Sequence, residues 1–226
     1  MTLDPDASQG AITLEGARVA VLGYDADARE HALALRNTFN TVTIGVFPDT
    51  AAWRHARAEG FVVDRPAAAV THAEVVVVRG HDDSLWRSVE PRVAAGALVV
   101  FGSARALQAG ACARSGMDVV LVTDIYDAFV RIAVHRDATL RALVRAAAYA
   151  RAAFEGNVLM RASSIAAEAE LEESGDTAKL LALSVTTAPL DERTPTRAWD
   201  VDEEPEPAEM DDSTWFYAML NRRGSR

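Results

Sequence analysis

The chain has 226 residues, half of them apolar, and a formal net charge of −10 at pH 7, so it can bury a substantial core in one ordinary domain with an appendage. The acidic balance excludes the basic face that nucleic acid requires, and no run of eighteen apolar residues predicts a membrane span. A single cysteine, Cys112, excludes a disulfide framework and fits a reducing compartment.

Residues 1–10 are polar and read as a frayed start, carrying acid at Asp4 and Asp6 where a signal peptide needs base. The expected location is therefore cytoplasmic. Arg18–Leu22 is an apolar run without polar alternation, ending at Gly23, which predicts a strand buried on both faces. Asp27–Arg36 then sets Ala28, His31, Ala32 and Leu35 on one helical face. Val42–Val46 predicts a second strand and Thr50–Glu59 a second helix, closed by Gly60. A short strand over Phe61–Val63 precedes a short helix over Pro66–Thr71, with its proline first. Val75–Val78 is the fourth strand, Ser84–Val89 a helix before Pro91, and Ala97–Phe101 the fifth strand. Arg105–Arg114 returns as a helix to a sixth strand at Val119–Val122. This alternation predicts an α/β, Rossmann-like fold: a mostly parallel sheet with helices on both faces, over residues 11–136.

After Asp137 the pattern changes. Ala138–Phe154 predicts a long alanine-rich helix and Ser163–Leu183 a second, making a helical extension over 137–189. Between Asp200 and Asp212 stand eight acids and no base, so the rest of the chain is nearly neutral and 190–212 reads as an acidic linker. Residues 213–226 open with the capping residue Ser213 and end in Arg222, Arg223 and Gly224, which predicts a short helix. Its tethered Trp215 and Phe216 suit docking on a protein partner or a second copy.

The first strand and its turn open like a dinucleotide-binding βαβ unit, whose fingerprint is Gly-x-Gly-x-x-Gly. Here only Gly23 stands, followed by Tyr24, with Asp25 and Ala28 in the other two glycine places. A diphosphate binds such a turn because bare N–H groups and the helix dipole attract anions. A carboxylate ~4 Å away, at an effective dielectric of ~20, repels it by roughly 4 kcal/mol. One dipole offers only ~0.3–1 kcal/mol at an exposed terminus, and Arg29 could offset one of the charges of Asp25 and Asp27 but not both. Capping of their own helix by Asp25 or Asp27 is the simpler reading.

Several segments taken in order resemble ketol-acid reductoisomerase. They are Leu14–Tyr24, His31–Arg36, Gly45 to Trp53, Ala73–Val77, Glu90-Pro91, Gly96–Phe101, Met117–Val120 and Ala148–Ala150. The resemblance covers residues 11–180, with a deletion near Arg131. It implies a Rossmann-like domain, an NADPH or NADH cofactor, magnesium and a homodimer. Most of the family's functional residues do not carry over. The arginine and serine that grip the 2′-phosphate fall at Phe47 and Thr50, the catalytic histidine at Ser103, and the lysine near Ile125. The first carboxylate pair of its two-magnesium site falls at Glu172 and Asp176, at i, i+4 spacing, while the helices that would complete it find no counterpart. Asp25, Asp27 and Phe47 thus disfavour either coenzyme in the usual pose. Asp49 suits a ribose hydroxyl, or simply a turn beside Pro48.

Open α/β sheets hold ligands at the carboxyl ends of their strands. That edge carries Arg79-Gly-His81-Asp-Asp83, Gly102-Ser103-Ala-Arg105 and Asp124-Ile-Tyr126-Asp127. It suits a cationic or zwitterionic small molecule, with His81, Ser103, Asp124 and Tyr126 as candidates for proton transfer, or else it is a set of solvated loops and caps. Acids at the spacing of Glu172 and Asp176 are more often a solvated helix face than a metal site, and His31 is more simply a packed, hydrogen-bonded residue than a ligand. Two functions fit these residues. One is a family member that has lost isomeroreductase chemistry and binds a ligand or partner; the other is an NAD(P)H-dependent reductase with an altered substrate.

Overall fold

The computed structural model describes residues 13–38, 40–79, 83–108, 112, 114–125, 129–154 and 159–174. Two compact units, Met1–Thr194 and Pro195–Arg226, divide the chain; the second lies outside the described residues, as do the acidic linker and the aromatic helix expected there. The strands are β1 (Arg18–Leu22), β2 (Thr41–Gly45), β3 (Val62–Asp64), β4 (Val75–Val78), β5 (Leu98–Phe101), β6 (Asp118–Ile125), β7 (Phe129–Arg136) and β8 (Leu159–Ser163). The helices are α1 (Ala26–Asn37), α2 (Ala51–Ala58), α3 (Pro66–Ala69), α4 (Asp83–Val89), α5 (Ala104–Gln108), α6 (Ala142–Ala153) and α7 (Ile165–Ser174). One sheet holds all eight strands in the order β3-β2-β1-β4-β5-β6-β7-β8, parallel throughout except where β6 meets β7. The expected Rossmann-like α/β architecture is present.

Continuous apolar runs in the central strands serve two cores at once. Val19, Val21, Val75, Val77, Leu98 and Val100 face one cluster with Ala28, Ala32 and Leu35 of α1, Ala56 of α2, and Ala146 and Tyr149 of α6. Their neighbours Ala20, Leu22, Val76, Val78, Val99 and Phe101 face a second cluster with Ala69 of α3, Trp86 of α4, Leu107 of α5 and Ala169 of α7. Alternation of side chains across the pleat makes such strands apolar on both faces. Caps fix the helix starts: Thr50 Oγ1 accepts from Trp53 N at 3.1 Å, and Asp137 Oδ1 from Arg141 N and Ala142 N at 2.9 and 3.0 Å.

The sequence reading holds for β1 through β6 to within a few residues, and corrections begin at α5. The helix expected over Arg105–Arg114 is described only over Ala104–Gln108. Where no strand was expected, β7 runs antiparallel to β6, and β8 joins β7 between the two helices expected in the helical extension. The first long helix starts at Ala142, four residues later than expected, because Asp137 caps it from five residues upstream. The second is described over Ile165–Ser174, and its expected continuation to Leu183 lies outside the described residues. Among the described residues no helix is long and apolar enough to cross a membrane.

Gly45 tests the packing of β2 directly. A Cβ there would lie 2.8 Å from Leu22 Cδ2 and 3.3 Å from Pro66 Cα, between a core side chain and the backbone of α3. Gly45→Ala should therefore cost about 2 kcal/mol by overpacking, read as a lower urea midpoint at unchanged slope.

Candidate functional site

The strand order reverses between β1 and β4, so the crevice of this sheet opens above their carboxyl ends. Gly23 makes the turn out of β1 with φ +88, a conformation that glycine adopts without penalty, and its N–H donates to Gly45 O at 3.1 Å. Asp25 follows in extended conformation as the N-cap of α1, its Oδ1 accepting from Ala28 N at 2.9 Å. This is the capping role expected of Asp25 or Asp27, and it places a carboxylate on an amide that a diphosphate would use.

Tyr24 and Arg29 turn away from that carboxylate toward α2. Tyr24 Oη donates to Glu59 Oε2 at 3.0 Å, Arg29 Nε donates to Glu59 Oε1 at 2.7 Å, and the Tyr24 ring meets Phe61 edge-on at 5.7 Å. Arg29 holds the Glu59 carboxyl below its ordinary value, chiefly by hydrogen bonding. Burial first, and then the bond to Glu59, push the Tyr24 phenol up from 10.0 to about 12. A tyrosine that keeps its proton longer when folded contributes stability that is present below pH 10 and lost toward pH 12. Absorbance titration of the folded protein should include a tyrosinate phase near pH 12 that Tyr24→Phe removes.

Asp27, on the first turn of α1, has a different partner. Its carboxylate receives a forked pair from Arg79, Nε to Oδ2 at 2.6 Å and Nη2 to Oδ1 at 2.9 Å. Arg79 is the first residue after β4, and its Nη1 donates to Val122 O at 3.0 Å. The guanidinium is packed over Gly102, where a Cβ would approach Arg79 Cδ and Nε to 3.1 Å. On its other side Asp27 faces His31 Nε2 at 3.7 Å, while His31 Nδ1 and Tyr149 Oη are hydrogen-bonded at 2.8 Å in the core. His31 is thus packed and hydrogen-bonded. The charge of Asp27 is offset by Arg79, 52 positions away, and not by Arg29.

At the end of β2, Phe47 is 56% exposed and Asp49 takes φ 64, a left-handed turn conformation. Thr50 caps α2 and donates its hydroxyl to Phe47 O at 2.8 Å, while Arg54 Nη1 donates to Asp49 O at 3.3 Å. Further along the edge, Glu172 of α7 reaches the start of α5 and accepts from Ser103 Oγ at 3.2 Å, Ala104 N at 2.7 Å and Arg105 N at 3.1 Å. Ser103, a candidate for proton transfer, and Glu172, a candidate metal ligand, are therefore brought together, as a helix cap. Glu168, one turn earlier and 2% exposed, accepts from Arg131 Nε and Nη2 at 2.6 and 2.9 Å and from Thr123 Oγ1 at 3.0 Å.

Asp124 and Ile125 form the end of β6, opposite Val130 and Phe129 of β7. His81, Tyr126 and Asp176 lie outside the described residues. Sequence reasoning missed Arg131 and the pairing of Arg79, since neither belongs to a local motif. Among the described residues no group of three or more His, Cys, Asp and Glu could hold a metal ion. Magnesium does not fit a Glu172 whose oxygens already serve three donors. A dinucleotide does not fit an α1 start that carries Asp25 on its amide and Asp27 beside it.

The model of the acetohydroxy acid isomeroreductase NADPH-binding domain matches residues 13–125. The ketol-acid reductoisomerase (NADP(+)) of Psychrobacter sp. (strain PRwf-1) is 28% identical over 185 residues, covering 74% of this chain and 55% of that protein. The enzyme of the same name from Xylella fastidiosa (strain 9a5c) is 34% identical over 110 residues, covering 46% of this chain and 31% of its own length. The chain thus spans about half the length of the first of these relatives and less of the second. Among solved structures, an NADH-preferring ketol-acid reductoisomerase from an uncultured archean superimposes with a TM-score of 0.64 at 18% identity, covering 74% of this chain and 59% of that one. At that identity the likeness concerns the fold.

Proposed function

Because the chain belongs to the acetohydroxy acid isomeroreductase family through its NADPH-binding domain, we propose that it keeps this scaffold as a ligand- or partner-binding protein without isomeroreductase chemistry. One observation carries the proposal: the first turn of α1 is supplied with anions by the chain itself, Asp25 on the Ala28 amide and Asp27 on Arg79. Coenzyme affinity is weak because a bound diphosphate would have to displace or tolerate both carboxylates. The resemblance puts Ser103 at the place of the family's histidine and Ile125 near that of its lysine, which supports the same reading. Neither side chain can take over the proton transfers of an imidazole or an ammonium near neutral pH. The ligand is a small cationic or zwitterionic molecule at the carboxyl edge of the sheet. Homodimerisation, and a protein partner taken through the tethered Trp215 and Phe216, are parts of the same proposal.

Titration of NADPH and of NADH, read by energy transfer from tryptophan to the reduced nicotinamide, tests it. No binding of either at micromolar concentration is expected. Micromolar binding of either would replace it with the second reading, an NAD(P)H-dependent reductase with an altered substrate, which Asp49 after β2 favours because a carboxylate there suits ribose hydroxyls. Deleting residues 191–226 should change oligomeric state or partner capture, and no change in either would remove the role given to the tail.

A further inference from the structure

We propose that the amino edge of the sheet holds a separate small-molecule site, a cleft for a zwitterion of amino-acid size with an apolar side chain. This edge lies at the opposite end of the strands from the crevice above β1 and β4. β1, β4 and β5 start at Arg18, Val75 and Leu98, and a cleft of about 270 Å3 opens at these starts. Leu14, Val75, Leu98 and Ala148 give it an apolar wall, and Glu15 and Arg145 bring the charges. Residues 14–17 form a tied rim: Leu14 O accepts from Ala17 N at 2.9 Å, Gly16 takes φ +79, and Asn40 Oδ1 accepts from the same Ala17 N at 3.2 Å. The space lies just under the roughly 300–1,000 Å3 of drug-sized pockets, so its occupant is smaller than a nucleotide.

The charges decide the class of ligand. Arg145 Nη1 donates to Gly96 O at 2.8 Å and to Asp118 Oδ2 at 2.7 Å, and Nη2 donates to Glu74 O at 3.2 Å. Nε donates to nothing among the described residues, so Nε–H and one hydrogen of Nη2 remain. These two nitrogens share the edge through which a guanidinium grips a carboxylate with two parallel bonds. Asp118, fully buried, holds the cation in place beforehand. A plain anion is nevertheless a poor occupant, because Asp118 already offsets the charge of Arg145 and Glu15 adds another carboxylate. Glu74 is turned to Arg18, accepting from its N–H at 3.0 Å with Nη2 at 3.6 Å. The exposed Glu15 has no such partner among the described residues. The cleft thus offers spare guanidinium donors and one unpaired carboxylate beside an apolar wall. A carboxylate and an ammonium on one small apolar molecule answer all three at once.

L-norleucine is the probe, titrated into the 15N-labelled full chain and followed by amide chemical shifts. A Kd on the order of 1 mM is expected, with the shifts concentrated at Glu15, Gly16 and Ala148. Hexanoate, which lacks the ammonium, and pentylamine, which lacks the carboxylate, should each bind at least about fivefold more weakly. Glu15→Gln should weaken norleucine about threefold and tighten hexanoate, a reversal that a merely structural role of Glu15 would not produce. Arg145→Lys keeps a cation beside Asp118 but loses the forked edge, so it should weaken norleucine and hexanoate and leave pentylamine unchanged. If circular dichroism shows Arg145→Lys unfolded, the exposed Glu15→Gln decides alone. No norleucine binding up to about 10 mM overturns the site, as does equal affinity for the three probes. Shifts confined to Gly23, Gly102 and Ser103 also overturn it, since they put the zwitterion at the carboxyl edge, where the proposed function places its ligand. NADH binding bears on that function alone and leaves the amino-edge cleft to be decided by these shifts.

Discussion

Replacing Glu168 by alanine should cost about 4 kcal/mol of folding stability, the range for removing one member of a buried ion pair. Glu168 and Arg131 have side chains only 2% and 6% exposed, so the guanidinium left behind would have neither a counter-charge nor water. The cost should be larger than for Glu168→Gln, which keeps an oxygen able to accept from Arg131 or from Thr123. Among the described residues Arg131 Nη1 is buried without a hydrogen-bond partner, so within them the pair is incompletely satisfied. For that reason the double replacement Arg131→Met/Glu168→Leu should lie within about 1 kcal/mol of wild type, as apolar substitutes of similar volume often do. Urea unfolding of the three variants checks the series. A mild Glu168→Ala would show that α7 is not fixed to β7 through this contact.

The second large effect is expected at Asp118, which is fully buried at the start of β6. Its carboxylate accepts from Thr139 N at 2.9 Å, Thr139 Oγ1 at 2.7 Å and Arg145 Nη1 at 2.7 Å, tying the sheet to the turn before α6 and to α6 itself. Asp118→Ala should cost about 3 kcal/mol, toward the lower end for a broken buried pair. The reason is that Arg145 is 21% exposed and keeps the Gly96 and Glu74 carbonyls at 2.8 and 3.2 Å. Thr139→Val should cost less, because it removes only the hydroxyl donor and leaves the amide in place. Chemical denaturation measures both, and an order reversed between them would contradict this division of roles.

The fold was legible where local sequence carries the physics. The valine runs of β4 and β5 have no polar alternation because both of their faces are buried, and the turn at Gly23 followed by Asp25 announced a capped helix. Strand β7 was not legible. Arg131 interrupts its apolar pattern, and a buried arginine is tolerated only because Glu168 comes to it from 37 positions away. Strand β8 is five residues long, between two helical stretches, and its place in the sheet depends on pairing with β7. The candidate site was legible to the same extent. That Asp25 caps α1 follows from its own neighbourhood in sequence. That Asp27 is neutralised by Arg79, or that Glu172 caps α5, depends on contacts across 52 and 68 positions that no local period reports.

A crystal of the full chain soaked in NADH tests the central claim most directly. Asp27 should remain forked on Arg79, with Asp25 on the Ala28 amide and no coenzyme diphosphate above the first turn of α1. Density for a diphosphate seated on those amides, with Asp27 swung aside in the unmutated protein, would contradict the account.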